Sequence, residues 1–132
     1  MERKSELSVI TKAKELCNYT LTVTEKSPKR FRFTLTSRLQ NYALSIIEQL
    51  IKANEIYVYA QGRMVDSRLA QERVHLQRDA MTNLKLLAYM AQVAMEQQCI
   101  LLKQYEQITK QIHDCQNLLG AWMSSDKKRF GI

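Results

Sequence analysis

Lys29, Arg30 and Arg32 fall within four consecutive positions of the stretch SPKRFRFTLTSR, with Phe31 and Phe33 interleaved. Cations at that density hold phosphate, arginine adds a forked donor, and an aromatic ring among them offers a face to a nucleic-acid base. Lys26 and Arg38 extend the run, and no acidic residue stands between Glu25 and Glu48. A second basic knot is Lys127-Lys128-Arg129. The whole chain carries 20 Lys and Arg against 13 Asp and Glu, a formal charge of +7, which suits a polyanionic partner such as RNA or DNA.

Groupings that support catalysis are missing. There is no glycine-rich phosphate loop, HExxH pair or nucleophile elbow. Glu72-Arg73-Val74-His75 is one Glu-x-x-His where a di-iron bundle needs two, and His113 lies on another segment. Cys17, Cys99 and Cys115 are odd in number and widely spaced, so they read as reduced thiols packed like small hydrophobes. The expectation is a protein with no enzymatic activity, no metal and no cofactor. The opening MERKSELS lacks the apolar core of a signal peptide, and the longest uncharged run, Cys115 to Ser125, is far shorter than the roughly 20 residues of a membrane span. A cytoplasmic location and no membrane partner follow as expectations.

Helices must position the cations. Of 132 residues, three are glycine and one is proline, too few for the tight turns of an all-β domain. Apolar residues recur at spacings of three and four over about 6–25, 30–56, 66–97 and 103–124. Ser5 is a candidate N-cap for the first segment. Ser27-Pro28 ends that helix, with Ser27 as the cap and Pro28 at the first position of the next. Residues 58–66, with Gly62, read as the least regular connection. In the last segment Tyr105, Ile108, Ile112, Cys115, Leu119 and Trp122 step as a bundle seam, with Gly120 giving clearance to a neighbour. The fold class is all-α, an antiparallel up-down-up-down four-helix bundle over 1–125, followed by a loose basic tail over 126–132. Arg63, Arg68, Arg73 and Arg78 spiral around the third helix among Asp66, Glu72 and Asp79, so local ion pairs are expected there.

Second apolar stripes accompany the main ones: Ile47 and Ile51 on the second helix, and Leu86, Tyr89, Met90 and Val93 on the third. One bundle does not need them, so they are candidates for an interface between copies.

The block SPKRFRFTLTSRLQNYALSIIEQLIKAN, the stretch EQQCILLKQYEQI and the closing LLGAWMSSDKKRF resemble a four-helix-bundle protein family. That family includes the accessory protein Avd of diversity-generating retroelements and proteins encoded in 23S ribosomal RNA intervening sequences. The resemblance spans about 7–129. It implies a homo-oligomer, a pentameric ring with a positive surface, that binds a reverse transcriptase together with RNA or DNA and supports mutagenic copying of template RNA into cDNA. The positions that carry over as nucleic-acid contacts are Lys29, Arg30, Arg32 and Arg38, with Lys26 beside them and Lys127, Lys128 and Arg129 as a second set. The intervening-sequence branch implies a four-helix-bundle protein of unknown role, and the apolar stripes with the basic patch leave a second reading, an interaction scaffold that recognises an acidic protein partner.

Overall fold

The computed structural model describes residues 2–132, with side chains described from Ser8 onward except that of Arg63. Four long helices follow one another: α1 (Glu2–Glu25), α2 (Ser37–Glu55), α3 (Ser67–Glu96) and α4 (Leu102–Phe130). Each packs on its neighbour in the chain, and α4 closes onto α1, giving an antiparallel four-helix bundle. Leu16, Leu39, Ile46, Leu84, Ile112 and Trp122 fill its axis with almost no solvent contact.

The helix α1 begins ahead of the expected start at Glu6. Glu2, Arg3 and Lys4 are good helix formers and nothing there breaks the helix, so Ser5 falls inside it and is not its cap. The side chains of Ser5 and Leu7 lie outside the described residues. Further along, the run Thr20–Thr24 stays helical although Thr and Val favour strands. Thr20 Oγ1 donates to the Leu16 carbonyl at 2.8 Å and Thr24 Oγ1 to the Thr20 carbonyl at 2.7 Å, which lets both hydroxyls be buried.

The expected single helix over 30–56 is three pieces. A 3-10 turn at Lys29–Phe31 leads into a π-helical turn at Arg32–Thr36, and α2 follows. Pro28 stands before the first turn in extended conformation, and Ser27 does not cap it. Ser27 Oγ instead donates to the Cys99 carbonyl at 2.9 Å, tying the α1–α2 connection to the turn between α3 and α4. Phe31, at the end of the 3-10 turn, packs inward, and the wider π turn brings Leu35 and Thr36 inward while leaving Phe33 outside.

Residues 56–66 form a small hairpin-like loop. Tyr59 and Val65 make an isolated bridge, Asp66 N–H donates to the Val58 carbonyl at 2.7 Å, and Gly62 takes the positive φ of 71° that the reversal requires. Asp66 then caps α3, accepting from the amides of Arg68 and Leu69.

The loose tail is corrected. The helix α4 runs on to Phe130 because the seam continues: Trp122, Asp126 and Phe130 are spaced four apart and all three are buried. Gly131, at φ 67°, ends the helix as a left-handed cap. Gly120 is also corrected, since a Cβ built there meets nothing within 4 Å, so no close neighbour requires it.

Candidate nucleic-acid interface

The α1–α2 connection carries a cleft of about 370 Å³, lined by Lys26, Lys29 and Arg32 with Glu25 as the one carboxylate. Thr24, Thr36 and Gln40 also line it. Arg32, Thr36 and Gln40 are four apart and so share one side of the chain as it enters α2. Gln40 Nε2 donates to Thr24 Oγ1 at 2.9 Å, and Thr36 Oγ1 lies 3.8 Å from Cys99 Sγ. The hydroxyls are thus held from α1 and from the α3–α4 turn, while the cations reach out into water.

Of the five cations read from the sequence, the cleft gathers three. Arg30 is exposed, with its guanidinium 4.6 Å from the centroid of the Phe31 ring. Arg38 is exposed on the first turn of α2, about 200° around the helix from Gln40, and so faces away from the cleft. None of the five makes an ion pair among the described residues.

The second basic knot is elsewhere. The helix α4 starts beside the cleft end of the bundle and finishes at the opposite end, so Lys127 stands about 35–40 Å from it at 1.5 Å per residue. Lys127 and Lys128 are exposed there. Arg129 is committed differently: its Nη2 lies 2.7 Å from Asp126 Oδ1, and its guanidinium covers the Phe130 ring at 4.6 Å.

Asp126 is the centre of a buried network that periodicity alone does not reveal. Arg73 meets it with two prongs, Nε to Oδ2 at 2.7 Å and Nη2 to Oδ1 at 3.0 Å. Gln77 Nε2 donates to Oδ2 at 2.8 Å, and Arg73 Nη1 donates to the Ile56 carbonyl at 3.3 Å. The Trp122 and Phe130 rings lie 5.1 and 5.5 Å from the Arg73 guanidinium carbon, and Tyr59 packs edge-on against Phe130. The expected local pairing of Arg73 is therefore wrong. Its partner is 53 positions away, because a cation on the core side of α3 must find an anion on the helix it faces.

The apolar stripes divide between two faces. Ile47 and Ile51 lie on the flank of α2 that carries Gln40 and faces α1. Leu86, Met90 and Val93 lie on the flank of α3 that carries Asn83, whose Nδ2 donates to Gln49 of α2 at 2.9 Å. Ile51, Leu86 and Tyr89 are exposed, and Ile47, Met90 and Val93 are half-buried. Two narrow strips on adjacent faces replace a single patch.

The remaining chemistry-bearing residues are dispersed. His75, exposed, approaches Asp79 at 3.4 Å one turn along α3, and no three His, Cys, Asp or Glu side chains converge among the described residues. All three cysteines are buried and free. Burial pushes the Cys115 thiol up to about 12, with Asp114 and Glu15 adding to the rise, and burial also raises Cys17. No described helix is long and apolar enough to cross a membrane. No protein-family model matches the chain, and no curated protein matches it.

Proposed function

We propose that this four-helix bundle is a non-enzymatic, cytoplasmic nucleic-acid-binding protein that makes its contacts through Lys26–Arg38. The observation that carries the reading is the set of five exposed cations from Lys26 to Arg38, none ion-paired among the described residues, with three of them around a cleft. Cations held for stability acquire counterions, as Arg73 has, whereas these stand ready for an external anion. The resemblance of the three sequence blocks supplies the setting: an accessory of a diversity-generating retroelement that joins a reverse transcriptase and its template RNA or cDNA. It also supplies a pentameric ring. A closed ring of like subunits uses two different patches on each copy, and the strips on adjacent faces, Ile47 with Ile51 and Leu86 with Val93, support that arrangement.

Salt dependence tests the reading. Affinity for single-stranded RNA should fall with a log–log slope of about −0.7 for each phosphate engaged. Replacing Lys29, Arg30 and Arg32 together by alanine should weaken binding and reduce that slope by about 2. Helical signal and sedimentation should stay as in the parent. Affinity that ignores salt overturns the proposal. A protein partner retained after nuclease and high salt favours the scaffold instead.

A further inference from the structure

The two phenylalanines of the basic connection are only two residues apart, yet they sit in opposite environments. Phe31 packs against the core and lies beneath the Arg30 guanidinium. Phe33 is 87% exposed, more than any other large apolar side chain described. Burying such a ring is worth about 1.5–3 kcal/mol, a gain this chain forgoes. The π-helical turn at Arg32–Thr36 is the cause: it turns Arg32 and Thr36 to the cleft and Phe33 to water. Wide turns of this kind recur at functional sites.

An isolated exposed ring among cations is a poor seat for an apolar helix, which needs a continuous stripe. The neighbours of Phe33 in the chain are Arg32 and Thr34, and the exposed Leu101 and Leu102 belong to a different helix, at the start of α4. A ring of this kind suits a planar base whose phosphate the adjacent cations hold. A base offers its face only when it is unpaired, because duplex bases are stacked inside and present phosphates alone.

We propose that the cleft recognises single-stranded nucleic acid, holding one phosphate between Lys29 and Arg32 while the unpaired base stacks on Phe33. This rests on the nucleic-acid reading above and gives it a substrate class. Phe31 takes no part, since Arg30 and the core occupy it. Arg38, on the far flank of α2, steers the strand without reaching the seated nucleotide.

The test uses the full chain with a short uridine oligomer, a duplex RNA of equal length and phosphatidylserine vesicles. Phe33→Ala should weaken oligomer binding roughly 5- to 150-fold and leave duplex affinity unchanged. Phe33→Trp should restore oligomer binding, and its new emission should be quenched by the oligomer. The native Trp122, 1% exposed, should give no such response in the parent. Equal losses on oligomer and duplex, or no loss while Lys29→Ala and Arg32→Ala still weaken binding, overturn the stacking proposal and leave the nucleic-acid reading intact. Binding to vesicles with none to either RNA overturns both.

Discussion

The two ends of the bundle use the same residue types for opposite purposes. At one end Lys26, Lys29 and Arg32 surround a cleft with no carboxylate bonded to them among the described residues, and the exposed ring of Phe33 follows Arg32 in the chain. At the other, Arg73 and Arg129 converge on Asp126, and Trp122, Phe130 and Tyr59 close over the charges. Arginine and an aromatic ring thus stand open to solvent in one place and form a structural joint in the other. What separates the two cases is one buried carboxylate, and the local count of cations does not reveal it.

The sharpest way to break the contrast is to remove that carboxylate. Asp126→Ala removes the carboxylate that neutralises the buried Arg73, which should cost about 3–5 kcal/mol in chemical denaturation. The double replacement Arg73→Met with Asp126→Leu should restore most of it, since the charges and their desolvation go together. At the open end, the Lys29, Arg30 and Arg32 alanine variant should move stability by no more than about 0.5 kcal/mol while nucleic-acid affinity falls. Equal destabilisation at both ends would erase the distinction.

Between the ends, the raised thiol of Cys115 sets an alkaline limit that neither end controls. Its folded-state pKa, about 12, lies above the ordinary 9.0, so its contribution to stability is complete below about 9 and is lost as pH rises through that window toward 12. The melting temperature of Cys115→Ala should decline less steeply over that range than the parent's. The smallest effect belongs to Gly120, on α4 between the middle and the closed end. With open space around its Cβ direction, Gly120→Ala should stabilise the helix by up to about 1 kcal/mol.

Much of this architecture is legible in the sequence because helix periodicity and the scarcity of Gly and Pro are local signals. The seam from Ile108 to Trp122 is buried as its spacing requires. Its continuation was hidden because Asp126 looks like tail chemistry among Lys127, Lys128 and Arg129, although Trp122, Asp126 and Phe130 keep the helical step. The basic connection was legible as a set of charges, but the selection within it was not. Arg32, Thr36 and Gln40 stand four apart and could have marked one wall of the cleft. The facing wall, from Thr24 to Ser27, comes from the chain on the other side of Pro28, and only the fold brings the two together. Phe31 and Phe33 could not be told apart by any periodic rule, since Phe31 ends a 3-10 turn and Phe33 lies in the π turn that follows, and both break the usual step before α2.

Helix ends ordinarily fray, because their last carbonyls lack partners and their side chains are loosely held. Asp126, four residues before the close of α4, fastens that end to α3 through Arg73 and Gln77. The terminal turn is thereby enlisted in the global cooperative unit, so its amides should open only when the whole domain unfolds, while those of the cationic connection exchange with solvent through small local excursions.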